Sequence, residues 1–249
     1  MWLTLCAVGL VAGFIDAIVG GGGMLTIPTL MTMGLPPHVV LGTNKLAASF
    51  GSFTASLTFY RKKLFDPYFW RYAIIFTAIG AVIGTVIVNY MSTEFLEKTL
   101  PIIIVITAIY TLIIKSVVED KPDLPAATKS LKITQSIQGS VLGFYDGIAG
   151  PGTGAFWTAS STALYKINIL LSCGLARSTN FVSNVCSLAT FIYLGHVNFL
   201  LGASLGFFIM LGAWIGAHSA IKFGGKFIRP LFVIVVIIMA INLALKAWI

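Results

Sequence analysis

Apolar residues run along this chain in long stretches with few breaks between them. Stretches near 18 residues or longer recur near 2–34, 38–60, 69–91, 96–118, 133–165, 168–194, 197–221 and 227–248. Repeated runs of that length predict membrane-spanning helices rather than one soluble core. Barrel strands alternate apolar and polar at every second residue. These runs do not, so the expected fold class is an all-α, polytopic helical membrane protein. Two runs are interrupted. "AGFIDAIVGGGGMLTIPTL" (12–30) sets Asp16 and four successive glycines, Gly20 to Gly23, inside the first, and "GFYDGIAGPGTG" (143–154) breaks the fifth. Each glycine gives up about 1 kcal/mol of helix propensity relative to alanine, and a carboxylate in lipid is expensive.

The two interruptions are copies. Gly13, Phe14, Asp16, Ile18, Gly20 and Gly22 recur as Gly143, Phe144, Asp146, Ile148, Gly150 and Gly152, at an offset of 130. "IGAVIG" (79–84) matches "LGAWIG" (211–216) at an offset of 132, and "TLPIII" (99–104) resembles "IRPLFV" (228–233) at 129. The preserved order predicts two homologous transmembrane repeats, 1–117 and 133–249, joined by a polar linker over 118–132. In secondary transporters, paired Gly- or Pro-interrupted segments at corresponding positions of two halves point to the binding site.

Charge refines the arrangement. Lys and Arg number 16 against 8 Asp and Glu, a net charge of +8. In a soluble chain this excess suggests nucleic acid; here the basic residues cluster in short loops, so no nucleic-acid partner is expected. The positive-inside rule puts "RKKLFDPYFWR" (61–71), the linker and "KFGGKFIR" (222–229) in the cytoplasm. They share a side only if each interrupted segment enters and returns. That predicts inverted rather than parallel repeats, with 92–98 and 194–198 outside. The first segment has no basic n-region and reads as part of the fold, not as a cleaved signal peptide. Cys6, Cys173 and Cys186 sit in apolar runs without metal-ligand spacing and read as small packing residues.

A broken membrane helix exposes N–H groups at the start of its second half, which favours an anion. Gly22 and Gly23, with Gly152 and Thr153, would form two facing cradles; glycines that only allow close helix packing are the plainer alternative. "GTNKLAASFGSFTAS" puts Lys45, Ser49, Ser52 and Ser56 on one helix face. At an offset of 132, Arg177 aligns with Lys45, and Arg177, Asn180, Asn184 and Ser187 also share a face. Intramembrane cations mark function by default, although both could instead snorkel from helix ends to the interface. The expected substrate-binding set is therefore Lys45, Arg177, Asn44, Ser49, Ser52, Asn180, Asn184, Gly22, Gly23, Gly152 and Thr153. Asp16 and Asp146 are expected to pair with the cations, to cap helices or to carry protons. "GASLG" (202–206) matches a hydrolase pattern, but that pattern needs a strand–turn–helix elbow, which an apolar span does not supply. No G-K-[ST] follows "GGGG", so it is no phosphate-binding loop. His38, His196 and His218 have no metal-ligand spacing.

The residues "AGFIDAIVGGGG" with "LTIP", "GTNKLAAS", "GFYDGIAGPGTG" and "IRPLFVIVV" together resemble the sulfite exporter TauE/SafE family of bacterial membrane transporters. The resemblance spans essentially the full length, and "GFYDG" and "RP" bring it closest to an inner-membrane branch. It implies export of sulfite, organosulfonates or related small anions across the inner membrane, with no cofactor, metal or ATP hydrolysis. Arg177 stands where relatives are expected to carry lysine. Ammonium and guanidinium groups bind anions with different geometry, so the anion itself stays open. The partners implied are a small anion and the lipid bilayer, and a homodimer is compatible with the pattern. A passive anion channel shares nearly every feature. An intramembrane hydrolase using Ser204 and His218 would need one active constellation, whereas the repeat supplies two matched half-sites.

Overall fold

The computed structural model describes residues 2–99, 102 and 124–224. Its helices are α1 (Trp2–Ile18), α2 (Gly23–Met31), α3 (Pro37–Arg61), α4 (Arg71–Asn89), α5 (Lys129–Ile148), α6 (Thr153–Tyr165), α7 (Ile169–Tyr193) and α8 (Phe199–Phe223), with no strand among the described residues. A further helical stretch occupies 93–99. The runs expected at 96–118 and 227–248, and the "IRPLFVIVV" motif, lie largely or wholly outside the described residues.

Both glycine-rich stretches leave the helix, over 19–22 and 149–152. Gly20 and Gly150 each adopt φ +86°. A residue with a Cβ pays about 1–2 kcal/mol in that left-handed region, so glycine sets where α1 and α5 stop. The starts of the other helices follow from capping. Thr128, Asn168 and Asn198 accept from the backbone N–H groups of Leu131, Leu171 and Leu201, which begins α5 at Lys129, inside the stretch read as linker.

Among the described residues, only α4 and α8 are long and apolar enough to cross a bilayer on composition alone. The 25-residue helices α3 and α7 extend roughly 38 Å at 1.5 Å per residue. That exceeds the ~30 Å hydrocarbon core, but their polar residues lower the average. Those residues point inward: Asn44, Lys45 and Ser52 of α3, and Arg177, Asn180 and Asn184 of α7, are all buried.

Glycines set the closest helix crossings. α1 lies parallel on α8, and α5 lies parallel on α4. A Cβ on Gly13 would strike the Ile209 backbone, and one on Gly212 or Gly216 would strike the carbonyl of Leu10 or Phe14. At the other crossing, Gly143 and Gly147 meet the carbonyls of Thr77 and Ala81, while Gly80 and Gly84 meet those of Ser140 and Phe144. Close backbone approach of this kind supplies packing where lipid offers no hydrophobic drive between helices. α3 and α7 cross antiparallel. Ser56 Oγ lies 2.9 Å from Ser178 Oγ, and Asn184 donates to Ser52 over 3.4 Å. At the two ends of the pair, Gly42 faces the His196 carbonyl and Gly174 faces the Leu64 carbonyl.

Two apolar clusters mark opposite ends of the molecule. Leu5, Leu30, Val40, Val88 and Phe191 gather at one; Phe65, Trp70, Trp157, Tyr165 and Leu171 gather at the other. The start of α1 therefore lies near the end of α2, so this hairpin enters and returns at the first end. α5 and α6 do the same from the second end. Their tips meet in the middle, where the Ala155 N–H donates to the Gly20 carbonyl over 3.2 Å.

Candidate functional site

The hairpin tips and the α3–α7 pair enclose a central cavity of about 30 Å³. Its wall takes Asp16 from α1, Gly22, Gly23 and Thr26 from the first tip, and Asn44 and Lys45 from α3. Asp146, Gly152 and Thr153 come from the second hairpin, and Asn180 and Asn184 from α7. Ile209 of α8 closes one side. The volume is about one water's share of liquid, so a polyatomic anion enters only if the wall parts.

Lys45 is the cation on this wall. Its Nζ lies 3.0 Å from Asp146 Oδ2 and donates to Asn184 Oδ1 over 3.3 Å. Both members of the pair are almost completely buried. Asp146 Oδ1 accepts from Thr153 Oγ1 over 2.9 Å, and Oδ2 has no partner besides Lys45 among the described residues. Asp16 holds the other tip: its Oδ1 accepts from the Gly22 N–H over 3.0 Å, at the start of α2. Asn44 Oδ1 accepts from Thr26 Oγ1 over 2.5 Å. The Asn180 side chain makes no hydrogen bond among the described residues, and its amide is free toward the cavity.

Arg177, aligned with Lys45 in the sequence, sits elsewhere. It is fully buried behind the tips and does not line the cavity. Its Nη1 donates to the main-chain carbonyl of Asp16, and its Nη2 donates to the Gly154 carbonyl over 3.1 Å and to Thr158 Oγ1 over 3.4 Å. A Cβ on Gly20 would come within 2.6 Å of Nη2, and one on Gly154 within 2.7 Å. The guanidinium thus packs between both breaks and ties one to the other. The pairing of aspartates with cations is correspondingly uneven. Asp146 pairs with Lys45 across the two halves, whereas Arg177 takes Asp16's carbonyl and leaves its carboxylate to cap α2.

The remaining residues of the sequence-predicted set divide the same way. Gly22, Gly23, Gly152, Thr153, Asn44, Asn180 and Asn184 all line the cavity. Ser49 and Ser52 do not; their hydroxyls return to the α3 carbonyls of Lys45 and Ala48. Thr26, on the cavity wall, and Thr158, beside Arg177, were not singled out by the sequence, although they correspond at an offset of 132 and each donates to the carbonyl four residues back. Ser204 lies within α8, away from any strand–turn–helix elbow. Among the described residues no His, Cys, Asp and Glu cluster could hold a metal ion.

Comparison with known proteins agrees with this architecture. The chain matches the family "Sulfite exporter TauE/SafE" over residues 5–243. It is 35% identical over 237 residues to "Probable membrane transporter protein ORF9" of a Sinorhizobium species, covering 94% of this chain and 88% of that protein. A Haemophilus influenzae "Probable membrane transporter protein" is 35% identical over 239 residues, 94% of this chain and 91% of that one. The Escherichia coli "Probable membrane transporter protein YfcA" is 35% identical over 240 residues, 96% and 88% of the two chains. No solved structure matches. The paired helix breaks, the buried cation between them and the match along nearly the whole chain lead to one conclusion: this protein belongs to the sulfite exporter TauE/SafE family of membrane transporters.

Proposed function

We propose that the protein is a secondary transporter that exports a small anion, such as sulfite or an organosulfonate, across the bacterial inner membrane. One observation carries this reading: among the described residues a buried ammonium, Lys45, faces a central cavity at the meeting point of two broken helices. Lys45 would supply the charge, Asn44, Asn180 and Asn184 neutral hydrogen bonds, and Gly22, Gly23, Gly152 and Thr153 the two tips. Ser49, Ser52 and Arg177 would support this shell from behind. A negative-inside potential favours anion efflux by about 2.3 kcal/mol per charge per 100 mV.

The halves 1–117 and 133–249 then act as inverted repeats about the cavity, with 118–132 joining them. Equal 25-residue lengths of α3 and α7, their antiparallel crossing and the shared φ of Gly20 and Gly150 support that reading. So does the reciprocal packing of α1 on α8 and α5 on α4. The test uses purified protein in liposomes, with efflux of sulfite and methanesulfonate as the readout. Removing both charges of the buried pair, Lys45→Met with Asp146→Asn, avoids stranding a lone charge. The double variant should remain folded and lose anion flux. Wild-type flux from it would overturn the site assignment.

A further inference from the structure

We propose that Asp146 takes up one proton as an anion binds Lys45, so that anion and proton occupy the site together. The inference rests on the anion-transport reading above and specifies how that site is coupled.

The argument begins with charge. Around the central cavity stand two cations, Lys45 and Arg177, and two carboxylates, Asp16 and Asp146, which cancel; all but the half-buried Asp16 are buried. An arriving anion leaves that centre with an uncompensated negative charge, and an unpaired buried charge is strongly unfavourable. Geometry then selects which group must change. Arg177 has its Nη groups on Asp16, Gly154 and Thr158 and stands behind the wall. The anion therefore meets Lys45, whose partner is Asp146 Oδ2 at 3.0 Å. The resting cavity holds about one water beside the pair, so an arriving anion competes with the carboxylate for Nζ.

Once displaced, Asp146 Oδ2 loses Lys45, its one partner among the described residues. Thr153 still serves Oδ1. The other charged groups offer no replacement. Asp16 faces the cavity from α1 with the same sign, Arg177 of α7 is committed elsewhere, and α2, α6 and α8 bring only uncharged residues to the wall: Gly23, Thr26, Thr153, Gly154 and Ile209. A proton from water resolves the conflict. It binds Oδ2, the carboxylate becomes a neutral acid, Lys45 keeps its charge for the anion, and the new O–H can donate to an anion oxygen. Asp16 is not the acceptor in this exchange, because its carboxylate caps Gly22 and does not compete for Lys45.

The test is calorimetric titration of the purified, detergent-solubilised protein with methanesulfonate, benzenesulfonate and sulfate, none of which carries a proton near neutral pH. Each titration is repeated in two buffers of different ionisation enthalpy, so that the heat difference counts protons taken up per anion. Wild type should take up close to one proton near neutral pH, and where it does its apparent Kd should weaken about tenfold per pH unit as pH rises. Asp146→Asn, which mimics the protonated acid, should bind with no proton uptake and a flat pH profile. If that variant fails to fold, the wild-type proton count decides alone. Binding without proton uptake overturns the coupling and leaves the anion site standing. No binding of any of the three probes overturns the anion reading itself.

Discussion

Replacing Arg177 with lysine keeps the charge and removes the fork. In the wild type, two Nη groups reach three acceptors on two different hairpins: the Asp16 carbonyl, the Gly154 carbonyl and Thr158 Oγ1. A lysine Nζ is a single point on a flexible stem and can serve one carbonyl well. The carbonyl left behind is buried and unpaired, and hydrogen bonds to charged groups are worth about 1.5–3 kcal/mol each. Losing one such bond, with weaker geometry at the others, costs about 3 kcal/mol. For a chain of this size that corresponds to a Tm fall of roughly 6–12 °C. The assay is thermal unfolding of the purified variant followed by tryptophan fluorescence, alongside methanesulfonate affinity on the same sample. The expected pattern is a large Tm loss with affinity within about threefold of wild type, because the guanidinium braces the tips whereas the proposed anion contact is Lys45. An unchanged Tm with lost affinity would show that Arg177 touches the substrate and that the brace is wrong.

Gly143→Ala sets a Cβ against the Thr77 backbone and should lower Tm by separating α5 from α4, at a cost of at least about 1–3 kcal/mol for overpacking. Gly34→Ala meets nothing within 4 Å and pays only the strain of φ +74°, about 1–2 kcal/mol; equal losses in the two variants would refute the close crossing. His196, in the loop between α7 and α8, has its imidazole held below the ordinary value by burial and by nearby His38. The neutral form is therefore favoured on folding. Its contribution is complete above the unfolded value of about 6.5 and is lost as pH falls through the lowered folded value. Acidification from about pH 8 to about pH 5 should thus lower the wild-type Tm more than that of His196→Gln, and parallel curves would refute this. Cysteine labelling in intact cells should find 61–71 and 165–168 on one face and 32–36 and 194–198 on the other, as the ring contacts Trp70–Tyr165 and His38–His196 require; any other partition would refute the inverted arrangement.

The copies of the glycine motif made much of this architecture readable before any coordinates. A residue that must adopt positive φ leaves a trace in the sequence, and Gly20 and Gly150 left the same trace at the same offset. Lys45 was readable because a cation in an apolar run has few innocent explanations. Arg177 was placed among the ligands by the same logic, and there the logic stops. A charge that binds substrate and a charge that saturates main-chain carbonyls look alike in one dimension. The difference lies in the fork of the guanidinium and in which carbonyls the breaks release. The Lys45–Asp146 pair was open for a different reason: helical periodicity assigns residues to faces but does not say which helices face each other. Hydropathy also undercounts α3 and α7, because the polar residues that line the site dilute the apolar signal of the helices that carry it.

The packing of α1 on α8 also sets an order of assembly. Gly13 finds the Ile209 backbone 196 residues further along the chain, whereas Gly84 finds Phe144 only 60 residues on. At a synthesis rate of about 5–20 residues per second, α4 and α5 can pair within about 3–12 s of each other's appearance. The first helix waits roughly 10–40 s at the same rate. During that interval Gly9 and Gly13 lie open to lipid and to any other helix with a small-residue face. Arrival of α8 therefore completes the α1–α8 crossing long after the α4–α5 crossing can form. A chain truncated before residue 199 keeps the α4–α5 crossing and loses the α1–α8 one, leaving Gly9 and Gly13 without their partner backbone.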